Sequence, residues 1–376
     1  MEPVRALLDT TAVPADRGGV GRYVDNLIPA LVRAGVDVRT VCQLSDRDHY
    51  ERLSAQPAVA VGPALQRRPI RLAWEQTGLI GVARKVGADL VHSPHYTHPV
   101  LSGLPQVVTL HDATFFTDAH VHGRFKAPFF RTATRLALRR ADCCVVASQA
   151  SADELVAAAH ADPAQLQVAH HGVDMTVFAP PSADAVAAVR SRLGLREGRG
   201  WVAFLGTLEP RKNVGALVRG WVAAVKDRTD PPALVLAGGS GWDTTLDAVI
   251  ADVPSNLTVM RPGYLPLELL SGLLGGAEVV AYPSLGEGFG LPVLEAMACG
   301  AAVLTTRRLA LAEVGGDAVA YTETDAESIA GALRALLDDP HERARLGAAG
   351  LARAAGFTWD ACAAAHVRAY ERAMAA

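Results

Sequence analysis

Short apolar runs alternate with longer amphipathic segments along the whole chain. This is the pattern of repeated strand–helix units, and so of parallel sheets covered by helices. In the first half, VRALLD (4–9), VDVRTVC (36–42), DLVHS (89–93), QVVTLHD (106–112), DCCVVAS (142–148) and QLQVAH (165–170) predict strands. Helical stretches lie between most of them, for example 19–34 and 124–140. The rhythm breaks over 174–199, where FAPP (178–181), a short helix and LREGRG (195–200) gather turn residues as a linker does. A second series follows: WVAFLG (201–206), ALVLAGG (233–239), NLTVMRPG (256–263), EVVAYPS (278–284), AAVLTT (301–306) and AVAY (318–321). FTWDACAAAHVRAYERAM (357–374) predicts a terminal helix. The expected fold class is α/β, with two doubly wound, Rossmann-like domains facing a cleft, over 1–173 and 174–356. In such sheets ligands sit at the carboxyl ends of the strands, where every motif below falls.

Composition narrows the function classes. A chain of 376 residues exceeds one ordinary core, in keeping with two domains. A formal charge of −3 gives no case for nucleic acid as a partner. The start, MEPVRALLDT, has no apolar stretch flanked by basic residues, and no window approaches the roughly 20 apolar residues of a membrane helix. The five cysteines (Cys42, Cys143, Cys144, Cys299, Cys362) are odd in number and scattered, without a CxxC pair, as reduced core residues of a cytoplasmic protein are.

The stretch SLGEGFGLPVLEAMACG (284–300) carries the most specific chemistry. Gly286, Gly288 and Gly290 lead from a buried strand into a helix. Pro292 suits its first position and Gly300 the position just past its end. A glycine loop at a helix start invites phosphate, but Glu287 and Glu295 would repel it. Two carboxylates beside exposed N–H groups suit a polyol, since charged acceptors bind hydroxyls strongly. The plainer alternatives are a helix-dipole role for Glu295 and a solvated loop for Glu287. A phosphate site is expected instead in FLGTLEPRKN (204–213), where adjacent Arg211 and Lys212 at a helix start suit a diphosphate; the alternative is a solvated basic turn.

In DTTAVPADRGGVGRYVDNL (9–27), Gly18, Gly19 and Gly21 lie between the first strand and its helix. The spacing is not GxGxxG, so a nicotinamide cofactor is not expected. These glycines would let the helix start close on a bound phosphate. VVTLHDATFF (107–116) ends a strand with His111 and Asp112, which are either catalytic candidates or structural. Asp46 and Asp48 in SDRDH form a DxD but sit in a polar stretch that reads as solvated. His92, His95 and His98 are spaced by threes, yet Pro94 and Pro99 break any helix that would align them on a metal. HVHGRFKAPFFRTATRLALRR (120–140) holds six Arg or Lys and no acid, interleaved with Phe125, Phe129, Phe130, Leu136 and Leu138. It suits peripheral contact with an anionic membrane, or a surface helix packed on its own sheet.

Together, EGFGLPVLEAMACG, GTLEPRKN, GGVGRYV, the HD pair, VVASQASADEL and VAHHGVDMTVF (168–178) resemble the retaining glycosyltransferase family 4, of the GT-B fold. The resemblance implies a nucleotide-diphospho-sugar donor, with GDP-mannose first and other UDP- or GDP-sugars close behind. It implies that Glu287, Gly288, Phe289, Gly290 and His111 meet the donor sugar. It gives Arg211, Lys212, Gly18 and Gly19 the diphosphate, and Glu295, Leu291, Gly263 and Tyr264 the nucleoside. By the same resemblance His111, Glu287, Arg211 and Lys212 would carry the catalytic roles. The terminal helix (357–376) would cross back to the first domain, and no cofactor or metal is expected. The expected acceptor is a glycan, a glycolipid or a small molecule. His171 and Ala302 depart from the family's usual Asn and Pro, neither at a catalytic position. A sugar-nucleotide epimerase and a non-catalytic sugar-nucleotide-binding subunit are the alternatives.

Overall fold

The computed structural model describes residues 3–14, 17–117 and 126–376. The chain divides into two compact units: Met1–Gly172 with Thr358–Ala376, and Val173–Phe357.

In the first unit seven parallel strands form one sheet: β1 (Arg5–Asp9), β2 (Asp37–Gln43), β3 (Val59–Val61), β4 (Leu90–Ser93), β5 (Gln106–Leu110), β6 (Cys143–Val146) and β7 (Leu166–Val168). Their order is β3-β2-β1-β4-β5-β6-β7. The second unit holds β8 (Trp201–Leu205), β9 (Ala233–Ala237), β10 (Val259–Gly263), β11 (Val279–Tyr282), β12 (Val303–Thr305) and β13 (Ala320–Tyr321), ordered β10-β9-β8-β11-β12-β13. Both sheets reverse direction once, between β1 and β4 and between β8 and β11. These are the switch points at which doubly wound sheets bind ligands. The strands β1, β4 to β6, β8, β9 and β11 are buried almost throughout, as near-continuous apolar runs require when helices cover both faces. β3 was not among the expected strands. It is a three-residue edge strand that reads as part of a loop.

The terminal helix is Trp359–Ala375, capped by Thr358 Oγ1, which accepts from the Ala361 N–H at 3.1 Å. It begins two residues later than the apolar run suggests, because Phe357 accepts a backbone bond from Val173 N instead. Its buried residues Cys362, Ala363, His366, Ala369, Tyr370 and Ala373 fall at helical spacing and share one core with Tyr23, Val24, Leu27 and Leu31 of the helix Gly18–Arg33.

The basic aromatic segment turns its apolar face into the unit's own core. Within the helix Lys126–Arg140, Phe130 is buried and stacks on Phe115 at 4.6 Å, while Phe129 and Leu138 pack on the same core. Arg131 donates through Nε to the Phe115 carbonyl. The apolar face is therefore spent inside the unit, with Leu136 its exposed exception, and Phe125 lies outside the described residues. No helix among the described residues is long and apolar enough to cross a membrane.

Candidate active site

β8 and β11 are neighbours at the switch point of the second sheet, so the segments leaving their carboxyl ends meet. The chain leaving β8 forms a short 3-10 turn, Pro210–Lys212. Asn213 then takes a left-handed conformation before the helix Val214–Val225. Arg211 and Lys212 thus sit on the turn that precedes the helix rather than in its first turn. The chain leaving β11 passes through Ser284–Gly290 into the helix Leu291–Ala298, with Pro292 at the second helical position and Gly290 at φ 100°.

Glu287 lies at the centre and is 6% exposed. Its Oε2 accepts from Arg211 at 2.6 Å. Its Oε1 accepts from Lys212 Nζ at 2.6 Å, from Ser284 Oγ at 2.7 Å and from the Tyr282 hydroxyl at 3.0 Å. Lys212 also donates to the Tyr282 oxygen, and Arg211 reaches Glu209 at 2.9 Å. Burial alone would raise the Glu287 pKa. The charges of Arg211 and Lys212, with bonds from Lys212 and Ser284, outweigh it and hold the carboxyl at about 2. Burial and the neighbouring Arg211 pull the Lys212 pKa down, against Glu287 and Glu209. We take the pair as ionised, because the 2.6 Å contact is the charge-assisted bond that both partners gain by staying charged. A carboxylate held this low is not a general base near neutral pH.

The carboxylate expected to meet the sugar and the cations expected to meet the phosphates are brought together in one ion-paired cluster. Glu287 is the cations' internal partner, and two acids (Glu209, Glu287) balance two bases (Arg211, Lys212). A carboxylate offers about four acceptor positions. Oε1 already takes three bonds, so Oε2 is where a further donor would be received. Glu209, Tyr282 and Ser284 were not singled out from the sequence; the polar pair ending the apolar run EVVAYPS was the available signal.

The remaining expected residues of this unit lie around the same sheet edge. Glu295 is 2% exposed on the helix Leu291–Ala298, and Phe289 is buried edge-on to Phe357. Gly263 ends β10 at φ 72°, followed by the exposed Tyr264. A side chain at Gly239 would lie 2.7 Å from the Tyr264 hydroxyl, so glycine there lets the ring cover the end of β9.

In the first unit His111 follows β5. Its Nε2 lies 2.7 Å from the Pro94 carbonyl, which only accepts, so Nε2 carries the proton. Burial lowers the His111 pKa, against the Pro94 carbonyl and Asp112, and keeps the ring neutral with its lone pair on Nδ1. Tyr23 meets His111 edge-on at 5.3 Å. Tyr23 also belongs to a buried hydrogen-bond chain of fixed direction. The Cys362 carbonyl, 2.8 Å from His366 Nδ1, must accept, so His366 Nε2 accepts from the Tyr23 hydroxyl at 2.7 Å. Tyr23 then accepts from Thr109 at 2.9 Å, Thr109 from His92 Nε2 at 2.9 Å, and His92 Nδ1 from Tyr370 at 2.9 Å. His92 therefore serves this chain, which ties the terminal helix to β4 and β5. Among the described residues no group of three His, Cys, Asp or Glu is placed to hold a metal ion. Asp46 lies 3.9 Å from Arg17, and Asp48 is exposed. Gly18 and Gly19 are exposed at the start of the helix Gly18–Arg33, and a side chain at either meets nothing within 4 Å. Gly21, by contrast, is required by the Arg17 side chain, 2.5 Å from where its Cβ would be.

Comparison with known proteins identifies the architecture. The family model for Glycosyltransferase Family 4 matches residues 17–177, and that for Glycosyl transferases group 1 matches 187–353. The D-inositol 3-phosphate glycosyltransferase of Kineococcus radiotolerans is 30% identical, over 96% of this chain and 91% of its own. The O-antigen chain mannosyltransferase B of Escherichia coli is 30% identical over 70% of each. The Anabaena protein HepE, solved with UDP-glucose, shares the fold with TM-score 0.77 at 18% identity, over 98% of both chains. The chain belongs to glycosyltransferase family 4 and is a glycosyltransferase of the GT-B fold.

Proposed function

We propose that the enzyme moves a hexosyl group, mannose favoured, from a nucleotide-diphospho-sugar to a hydroxyl of a glycan, glycolipid or small-molecule acceptor, with retained configuration and without a metal ion. The observation that carries this reading is the Arg211–Lys212–Glu287 constellation at the switch point between β8 and β11. The bond from the anomeric carbon to the diphosphate breaks and a bond to the acceptor oxygen forms. The acceptor's proton passes to the departing phosphate oxygen on the same face. Arg211 and Lys212 stabilise the negative charge that develops on the diphosphate, a task preorganised cations perform without reorganisation. Glu287 orients both cations and receives a donor-sugar hydroxyl at Oε2, with Gly288, Phe289 and Gly290 beside it. Glu295 takes the ribose, next to Leu291, and the base lies against Gly263 and Tyr264.

For the first unit, the reading gives His111 a hydroxyl of the transferred sugar, through its Nδ1 lone pair, and gives Gly18 and Gly19 the diphosphate. The Escherichia coli relative's name supports mannose, while the HepE complex keeps UDP-sugars in view. The Kineococcus relative's name adds a phosphorylated cyclitol to the acceptors. Contact with an anionic membrane would rest on charge alone, from the exposed Lys126, Arg135, Arg139 and Arg140. The test is an assay of hydrolysis and transfer across a panel including GDP-mannose and UDP-glucose, with excess chelator in a parallel arm. The reading predicts turnover of one donor that survives chelation and a product of the donor's own anomeric configuration. Inversion, or complete loss on chelation restored by magnesium, would overturn the corresponding part.

A further inference from the structure

The segment that carries Glu287 has little secondary structure of its own, yet five consecutive carbonyls in it are each bound by a side chain. Tyr282 O accepts from Thr305 Oγ1 at 2.8 Å, and Pro283 O from Asn213 Nδ2 at 3.2 Å. Ser284 O accepts from Thr306 Oγ1 at 2.8 Å, Leu285 O from Arg308 Nε at 2.6 Å, and Gly286 O from Arg211 at 2.7 Å. Sheet order explains the source of these donors. β11 lies between β8 and β12, so the loop leaving it is held from one side by the turn after β8 and from the other by the turn after β12. Side chains rather than a ladder supply the partners of these carbonyls, two of them in buried bonds from Thr305 and Thr306, so the donors fix the loop's path.

The turn after β12 carries a mark of constraint. Leu309, next to Arg308, has φ 51° and ψ −133°. Gly316, at the other end of the helix Ala310–Gly315, has nearly the same angles, φ 53° and ψ −132°. Glycine accepts that conformation readily, whereas a leucine is strained in it. Such a conformation persists where the surroundings over-determine it, and Arg308, just before it, is held on Leu285 O.

We propose that Thr306 and Arg308 are positioning residues for glycosyl transfer. They hold the Ser284–Gly290 loop from its β12 side and set the place of Glu287 against the donor sugar. Neither hydrogen-bonds Glu287 itself; they act on the backbone two and three residues before it. The proposal rests on the reading that this loop meets the donor sugar.

The test uses the full chain with UDP-glucose and GDP-mannose as donors and UDP and GDP as bare nucleotides. Thr306→Val keeps the shape and removes the hydroxyl, Thr306→Ser keeps the hydroxyl, and Arg308→Met changes an exposed side chain with little bearing on the core. Ser182→Ala, which removes a helix cap at Ala185 N far along the chain, controls for lost stability alone. Small misplacements near reacting groups cost large factors, so Thr306→Val or Arg308→Met should lower kcat with the donor by about tenfold, the serine variant staying near wild type. Bare nucleotide should bind with unchanged stoichiometry and a Kd within about twofold of wild type, since the displaced contact exists only with the sugar present. Wild-type kcat in both variants, or nucleotide binding that falls as far as turnover, would overturn the proposal. Glu287→Gln, measured alongside, separates the two layers. If it turns over like wild type, the donor-sugar reading of the loop fails; if it alone is impaired, only the positioning role fails.

Discussion

Lys212 Nζ lies 2.6 Å from Glu287 Oε1 although 75 residues separate them in the chain. Sheet order brings them together, because β8 and β11 pair across the switch point and each contributes the segment beyond its carboxyl end. The cation expected to grip a phosphate thus already has a counter-ion. Two of the three ammonium donors are spent on Tyr282 and Glu287. On the proposed reading, diphosphate binding on this turn competes with Glu287 for the cations rather than filling an unopposed positive site.

That competition gives Glu287→Gln an unusual signature. Removing the carboxylate's charge leaves Arg211 and Lys212 with less internal compensation. Affinity for UDP or GDP should hold or tighten, while donor turnover falls by roughly tenfold or more, the loss of a charged hydrogen bond of about 1.5–3 kcal/mol. Calorimetry and donor kinetics on one preparation decide it. A variant that keeps its circular dichroism but binds nucleotide tenfold more weakly would show that Glu287 serves the nucleotide directly.

Glu295 should behave in the opposite way. If it holds the ribose, Glu295→Ala should weaken both bare nucleotide and full donor by roughly tenfold or more, again about 1.5–3 kcal/mol for a charged acceptor lost from a hydroxyl. Titration with UDP and GDP reads the effect directly. Unchanged nucleotide affinity would return Glu295 to a role within its own helix.

The hydrogen-bond chain through Tyr23 predicts an acid-sensitive first unit. Burial depresses the His366 pKa from 6.5 to about 4, against its bond to the Cys362 carbonyl, which raises it. A base depressed on folding contributes stability that is complete above about 6.5 and is lost as pH falls towards 4, on the order of 3 kcal/mol for His366. Buried His92, also pushed down by burial, acts in the same direction. Urea midpoints at pH 7 and pH 4.5 should differ less for His366→Gln than for wild type. Equal pH dependence in the two proteins would contradict the depression of His366 by burial.

Much of the fold was legible because it rests on local pattern. Runs such as WVAFLG and DCCVVAS are buried on both faces and admit few alternatives to a central parallel strand. β3 was not legible: Val59–Val61 is too short to show a period and is a strand only because β2 lies beside it. Within the candidate site, residue types and spacing pointed to Arg211, Lys212 and Glu287 separately, but nothing local encodes their mutual pairing. The same holds for Thr306 on Ser284 O and for Tyr23 on His366, which are 22 and 343 residues apart. The interleaved phenylalanines of Lys126–Arg140 show what periodicity leaves open. Periodicity reveals an apolar face, but not whether that face meets lipid or, as with Phe130 on Phe115, the unit's own core.

The most direct test of the account is donor turnover by Lys212→Met against wild type, measured with the same donor under saturating acceptor. On the proposed reading Lys212 stabilises the departing diphosphate, and removing one preorganised donor of this kind costs about a hundredfold or more in kcat. The account predicts a loss of that size with the fold intact. A Lys212→Met enzyme that transfers sugar at the wild-type rate would contradict it.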